Sequence, residues 1–422
     1  MIYKSFSKRQ KIAMTWWNQP RFAELDGIIC DGAVRSGKTV CMTLGFLIWS
    51  MTHFNNQNFA ICGKTIGSLQ RNVISLVPNL VEGLFDVRIK KDKIVITGAG
   101  HTNYYFVFGG RDESSYQLVQ GMTLAGALLD EVVLMPRSFV EQVLARCSVE
   151  DSKFWFNCNP ESPSHWFYKE WILKSKEKNV LFLHFTMRDN YSLSNKIIAR
   201  YESLYSGVFY DRYIKGLWVS ADGVVYDMFD KKMHVVQDDI ETEGEYFVSC
   251  DFGIQNATVF LLWRKEKGTK RWICLNEYYY SGRDNRVQKT VDGLVKGLIE
   301  ILPTEEFEDI YGETHEELVY PKQVIVDPSA TALIVELRKQ GFHSLQADND
   351  VMSGISDVSS LLRKNKIAFT SKCKNTIEEF AMYRWDEKAS QRGEDKPLKE
   401  NDHAMDAVRY FVRTRHILRK VG

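Results

Sequence analysis

The chain has 422 residues, 55 basic against 54 acidic, for a formal net charge of +1. That length exceeds what one hydrophobic core ordinarily holds, and 44% hydrophobic, 13% aromatic and 26% charged residues exclude a disordered or fibrous chain, so two globular domains are expected. The balanced charge means that any nucleic-acid surface must be local and offset elsewhere.

From the N-terminus to about residue 210, short β-rich apolar runs alternate with helical patterns. Strands are predicted at 27–31, 59–63, 104–109, 124–130, 154–157 and 180–185, with helices at 38–51, 66–84, 138–146 and 164–174. Such alternation implies crossover units and a mostly parallel sheet covered on both faces. The eight cysteines form no CxxC pair and several sit in apolar runs, so they read as reduced, buried thiols and not as a zinc site. The polar, basic start MIYKSFSKRQK and the lack of any apolar run of bilayer length predict a cytoplasmic protein without a membrane partner.

The sharpest motif is Gly32-Ala33-Val34-Arg35-Ser36-Gly37-Lys38-Thr39, a complete GxxxxGK[ST] between a predicted strand and a predicted helix. In that setting the backbone N–H groups of Gly32, Ser36 and Gly37 converge with the helix N-terminus on phosphate oxygens. Lys38 then reaches the β/γ-phosphates of ATP, and Thr39 a Mg²⁺ ion. The apolar run Leu124–Leu129 ends in Asp130-Glu131. Asp130 is expected to complete the magnesium shell and Glu131 to polarise the attacking water. Taken alone, an apolar run ending in acids marks only a strand meeting solvent; the loop upstream favours catalysis. The next strand ends in Asn157-Cys158-Asn159-Pro160. Asn159 is either a γ-phosphate sensor or part of a plain strand-to-loop turn. Charge developing on the transferred phosphoryl calls for an arginine, in cis or from a neighbouring subunit. Arg35, inside the loop, and Arg146, at the end of the helix after the acids, are the candidates.

A second pattern opens at Tyr246. Strands are predicted over 246–251, 257–263, 272–280 and 323–327, with helices at 287–301, 330–340 and from about His403, which together suggest a mixed-sheet α/β domain. Residues 216–245 read as the junction. Asp251 and Asp327 each close a strand, and Asp406 lies on the last helix with His403 three residues before it and Asp402 four before it. A lone strand-terminal Asp is most often a turn former. Asp251-Phe252-Gly253 is not a kinase signature, because no HRD-type loop precedes it and the upstream loop is of the P-loop type. The polar stretch 386–399 is either a solvated loop or a hairpin gating access to the acids. The basic end, with Arg409, Arg413, Arg415, Arg419 and Lys420, offers a surface for DNA or a docking partner, although cations also suit a helix C-terminus.

These residues, taken together, resemble the large terminase subunits of tailed bacteriophages, particularly those of phages infecting Gram-positive bacteria. The resemblance runs nearly end to end, through YKSFSKRQ with Gln10, GAVRSGKT, GGRDESSYQLVQGMTLAGALLDE, the Asn-Pro motif and NDHAMDAVRY. It implies a P-loop (ASCE-type) ATPase domain at 1–215 and a ribonuclease H-like nuclease domain at 246–422. It implies an adenine contact for Gln10 and a coupling role for Asn157–Pro160, which departs from the Ser/Thr-rich coupling motif of better-known terminases. A His and an Asp at the places of His403 and Asp406 select these over Asp402. With that context, Asp251, Asp327 and Asp406 become the ligands of two divalent cations, Mg²⁺ or Mn²⁺, with Glu277 as an accessory ligand. The implied activity is ATP-driven packaging of double-stranded DNA with endonuclease cutting. The implied partners are DNA, a small terminase subunit, the portal of the procapsid and further copies in a ring, in the host cytoplasm. Two other readings compete: a P-loop translocase or helicase whose second domain only binds nucleic acid, and a nucleotide-gated scaffold, against which Glu131 argues.

Overall fold

The structure is a computed structural model and describes residues 5–205, 207–253, 256–283, 285–308 and 313–415. It contains two compact units, one of residues up to 203, 207–221 and 388–395, the other of 222–387 and 396 onward, with 204 and 205 grouped with the second.

The first unit opens with α1 (Lys8–Thr15), followed by β1 (Gly27–Gly32), α2 (Lys38–His53), β2 (Asn58–Gly63), α3 (Ile66–Asn72) and α4 (Val77–Leu80). Next come β3 (Asp86–Ile89), β4 (Lys93–Gly98), β5 (His101–Gly109), β6 (Gly126–Asp130), α5 (Arg137–Arg146), β7 (Lys153–Asn157), β8 (Val180–Phe185), α6 (Asn195–Glu202) and α7 (Gly207–Tyr213). They form an eight-stranded sheet in the order β3-β4-β5-β2-β6-β7-β1-β8, parallel from β5 to β8 and antiparallel only at the β3–β4–β5 edge. The strand carrying Asn157 lies between the strand leading into the phosphate loop and the strand carrying Asp130. All three therefore end at one edge of the sheet.

Helix α2 is apolar nearly all round and packs on one face, where the rings of Trp49 and Phe46 lie 4.7 Å and 5.2 Å from that of Trp155. The other face carries a separate cluster around Leu129, Phe139, Phe156 and Phe167. The helix predicted at 66–84 is broken in two: α3 stops at Val73, and Pro78, which cannot donate an N–H, stands in the first turn of α4. The helix predicted at 164–174 forms over 166–172, with Tyr168–Ile172 wound as a π-helix. The edge strand β3 escaped the sequence reading because its residues are largely exposed, whereas β4 was overlooked although its alternating Ile94 and Ile96 are buried in the core.

The second unit holds α8 (Lys231–His234), β9 (Val235–Val236), β10 (Thr242–Asp251), β11 (Ala257–Glu266), β12 (Trp272–Ser281), α9 (Val291–Glu300), β13 (Thr304–Glu308) and β14 (Thr314–Leu318). It continues with β15 (Gln323–Val326), α10 (Thr331–Lys339), β16 (Ser344–Gln346), α11 (Val351–Arg363), β17 (Ile367–Thr370), α12 (Lys374–Met382), α13 (Glu387–Gln391) and α14 (His403–Arg415). Its main sheet runs β16-β15-β10-β11-β12-β17-β9. An antiparallel meander β10–β11–β12 is flanked by parallel β15 on one side and parallel β17 on the other, the mixed ribonuclease H-like arrangement. Within the stretch 216–245, read as a junction, α8, β9 and the start of β10 form regular structure, and β9 and the start of β10 lie within this sheet.

Residues 386–399 are not a solvated loop. Asp386 N–H donates to Lys396 O at 2.8 Å and Leu398 N–H to Arg384 O at 2.9 Å, so the ends pair as a hairpin. Its interior, 388–395, belongs to the first unit, where the fully buried Arg212 guanidinium bridges Glu161 (3.1 Å) and Asp395. Among the described residues no helix is long and apolar enough to cross a membrane.

Candidate functional site

The nucleotide loop is set by backbone geometry. Gly32 has φ +119°, and a β-carbon there would stand 2.0 Å from the Phe185 carbonyl oxygen at the end of β8. Only glycine allows β1 and β8 to approach so closely at that point. Arg35 (φ +58°) and Glu131 (φ +56°) also hold left-handed backbone, which side chains other than glycine adopt only where surrounding structure enforces it. Both flank the same cavity of about 530 Å³, whose walls include Lys38, Thr39, Glu131, Asn157 and Asn159.

Lys38 is buried, and its ammonium donates to Gly32 O (3.0 Å), Ala33 O (2.8 Å) and Asn159 Oδ1 (3.1 Å). Burial holds its pKa below the ordinary lysine value, against the pull of Glu131. Asn159 turns its other end to Glu131, donating from Nδ2 to Oε1 at 2.9 Å. This amide therefore bridges Lys38 and the expected base Glu131. Thr39 Oγ1 donates to Asp130 Oδ1 at 3.3 Å, and Asn157 Nδ2 reaches both Thr39 Oγ1 (2.8 Å) and Asp130 Oδ1. Asn157 Oδ1 is buried without a partner. An orphaned acceptor beside a hydroxyl and a carboxylate suits a hydrated Mg²⁺, so the residues present fit the ion that ATP carries.

Burial first, and Asp130 second, push the Glu131 carboxyl up to about 7. A raised carboxyl is protonated, and useless as a base, below its pKa. We therefore expect kcat/KM for ATP hydrolysis to fall as pH drops through about 7, measured by phosphate release. A flat profile between pH 6 and 8 removes Glu131 from the role of base.

Gln10 lines the cavity, but its amide is already engaged. Oε1 accepts from Ser7 N–H (3.0 Å) in a capping box at α1, and Nε2 donates to Ser36 O (2.9 Å). Arg35 lies over the Tyr201 ring, 5.5 Å from its centroid. Arg146 is not brought to this site: its carbonyl accepts from Leu124 N–H, just before β6, whereas Asp130 ends that strand about 20 Å away. Arg71 of α3 does line the cavity and was missed. Its only signal is topological, since α3 follows a strand ending at the same sheet edge.

In the second unit, β10 and β15 run parallel with Cys250 opposite Val326, so Asp251 and Asp327 leave neighbouring strands at the same end. Helix α14 crosses beneath them, seated by the stack of Phe411 on Trp263 (4.4 Å). Its first turn is capped by Glu379, which accepts from Ala404 N–H (2.8 Å) and Met405 N–H (3.3 Å). That cap lies 25 residues away in sequence and was not anticipated. Asp251, Asp327, His403, Asp406 and Asp402 then line one cavity of about 370 Å³.

Burial, with the charges of Asp406 and Asp327, pushes Asp251 up to about 6 against the hydrogen bond from His403 (Nδ1–Oδ2, 3.0 Å). Burial would also raise Asp327, but hydrogen bonds from Ser329 N–H (2.6 Å) and Tyr410 O–H (2.6 Å) hold it below its usual value. Asp406 is paired on both oxygens, with Arg409 on Oδ1 (2.5 Å) and Lys399 on Oδ2 (3.3 Å). Lys399 also reaches Asp402 Oδ2 at 3.1 Å. Hard oxygen donors around one cavity are the chemistry that Mg²⁺ or Mn²⁺ takes. As arranged here, however, no three His, Cys, Asp or Glu groups among the described residues stand close enough to hold an ion together. The compensating charge comes from Lys399 and Arg409.

Two expectations are corrected. Glu277 is not a ligand: its carboxylate accepts from Asn375 N–H (2.6 Å) and Nδ2 (2.9 Å) and from Thr376 N–H (2.9 Å) and Oγ1 (2.7 Å), so it caps α12. In the described part of the basic end, read as a surface for DNA or a docking partner, the arginines are engaged within the chain. Arg409 is buried on Asp406, Arg413 pairs with Asp357 (2.9 Å), and Arg415 donates to Gln323 (3.1 Å) while lying over Phe247. Arg419 and Lys420 lie outside the described residues.

A parallel-sheet P-loop ATPase unit joined to a mixed-sheet unit with a carboxylate cavity defines a two-part nucleotide hydrolase and nuclease architecture. Residues 29–233 match the family described as terminase large subunit, T4likevirus-type, N-terminal. The chain is similar to the large terminase of a thermophilic bacteriophage, at 47% identity over 98% of this chain and 100% of that one, with a TM-score of 0.87. Structures of that phage protein with ADP (47% identity, TM-score 0.85) and with ATP-gamma-S (46%, 0.84) each align over 97% of this chain and 99% of theirs. Among curated proteins none matches. The chain belongs to the large terminase family of tailed bacteriophages.

Proposed function

We propose that the chain is the motor subunit of viral genome packaging: ATP hydrolysis in the first unit drives double-stranded DNA into a procapsid, and the second unit cuts the concatemer. The observation that carries this reading is the presence in one chain of a complete P-loop site and a separate carboxylate cavity, in a protein 47% identical along its whole length to a phage large terminase. The nucleotide complexes of that relative support ATP as the ligand here. Gly32, Ser36 and Gly37 would cradle the phosphates, Lys38 and Asn159 would meet the γ-phosphate, and Thr39 and Asp130 would hold the magnesium ion. Asp251, Asp327 and Asp406 would hold two divalent ions, which supply Lewis acidity at the scissile phosphate. His403 would orient Asp251. The adenine contact of Gln10 would complement its hold on Ser36.

The partners are DNA, a small terminase subunit that chooses the site, and a portal on which copies assemble into a ring in the host cytoplasm. The test is a packaging reaction with the full chain, portal-bearing procapsids, linear duplex DNA and ATP. Nuclease-protected DNA that requires ATP hydrolysis supports the reading; DNA-stimulated hydrolysis with no protected DNA rejects it.

Since Arg146 lies by the start of β6, at the opposite end from Asp130, it would act as a finger in a neighbour's site, leaving Arg35 as the in-cis alternative. Mixing Arg146→Ala with Glu131→Ala chains is expected to restore part of the ATPase in an assembled ring. Absence of complementation in a proven oligomer shifts the role to Arg35.

A further inference from the structure

The carboxylate cavity already contains a cation, and it is covalently attached. Lys399 sets its ammonium between Asp402 Oδ2 (3.1 Å) and Asp406 Oδ2 (3.3 Å), both on nearly buried side chains, while its own side chain remains 67% exposed. The opposite oxygen of Asp406 belongs to Arg409, which is 1% exposed and carried on the same helix. The two basic residues thus differ in kind. Arg409 is a fixture of the helix, whereas Lys399 enters from solvent at the foot of the 384–398 hairpin, one residue beyond Leu398, whose N–H donates to Arg384 O.

We propose that Lys399 is a tethered counter-cation that occupies the place of a divalent ion at Asp406, so that ion and lysine compete for one carboxylate oxygen. The inference rests on the nuclease reading above. Two buried carboxylates beside each other repel, and a charge between them stabilises the arrangement when no ion is present. A short tether keeps the ammonium at a high effective concentration, so an ion must displace it and binds more weakly than it would to the bare acids. Because the lysine sits on the solvent side, displacement costs little desolvation. The freed ammonium stays beside the cavity mouth, where the phosphates of a DNA strand would meet it. The metal site then charges fully only when something else, an ion together with a strand, takes over the role of Lys399.

The measurement is Mn²⁺ binding to the full chain without nucleotide, followed by the electron paramagnetic resonance signal of the free ion, for the wild type and for Lys399→Gln, Lys399→Arg and Asp406→Asn. Lys399 is exposed, so its replacement leaves the fold intact. The Asp406-dependent binding is expected to tighten roughly ten-fold in Lys399→Gln, the gain from removing a competitor that occupies the site about nine-tenths of the time. Lys399→Arg, which keeps the charge, should stay near the wild type. Equal affinities in the wild type and Lys399→Gln, with binding still lost in Asp406→Asn, overturn the competition and leave the nuclease reading standing. Binding that Asp406→Asn does not alter overturns both.

Discussion

Glu131→Gln is expected to lower the ATPase turnover by roughly 10²- to 10⁴-fold, the range for losing a positioned general base, while nucleotide binding survives. The reason lies in how the residue is held. Its backbone is forced into left-handed geometry at the end of β6, and its carboxylate is pinned to Asn159, which in turn touches Lys38. A glutamine fills the same space and keeps a hydrogen bond to Asn159, but it cannot take a proton from water. Lys38→Ala should behave differently. It removes the ammonium proposed to reach the β/γ-phosphates, and so is expected to cost ATP affinity as well as turnover. Fluorescent-nucleotide titration and phosphate release on the same samples separate the two. A Glu131→Gln chain with wild-type turnover would end the claim that this carboxylate is the base, and the geometry would then point to a base from outside the first unit.

Much of this site was legible because its determinants are local. The phosphate loop, Lys38, Thr39 and the Asp130-Glu131 pair are short contiguous strings bounded by apolar runs, and a parallel sheet brings the ends of such runs to one edge. Asp251 and Asp327 were legible for the same reason, since each ends an apolar strand and β10 and β15 are neighbours. What stayed hidden depends on long-range approach. Glu379 caps α14 from α12, which lies in a stretch, 341–385, to which the sequence reading assigned no element. The Glu161–Arg212–Asp395 bridge joins three segments far apart in sequence, and nothing in any of them marks a buried arginine. Glu277 misled because an acid in a strand looks alike whether it meets an ion or the N-terminus of a later helix. The β13–β14 hairpin was missed because its acidic strands are exposed almost throughout and have no buried face for alternation to mark.

The nuclease carries the other large expected effect. Asp251→Asn, Asp327→Asn and Asp406→Asn should each abolish cleavage of plasmid DNA by the full chain in Mn²⁺ and leave its ATPase intact. The carboxylates converge from two strands and one helix on a single cavity, and the charges of Asp406 and Asp327 contribute to raising Asp251. These acids face one cavity where divalent ions are proposed to bind, and asparagine keeps the size of each while removing the charge that would hold one. His403→Ala should act more mildly, because the imidazole's hydrogen bond orients Asp251 without supplying charge to the ion. Cutting should show little base preference, since a site that clamps phosphate oxygens leaves the base edges unread. Fragment ends sequenced from a mixed plasmid substrate test that directly. Wild-type cutting by Asp251→Asn or Asp327→Asn would make these acids turn formers and move any cleavage elsewhere in the chain. Loss of cutting together with loss of ATPase would instead mark a folding defect, which circular dichroism and the retained nucleotide affinity of the first unit distinguish from loss of metal.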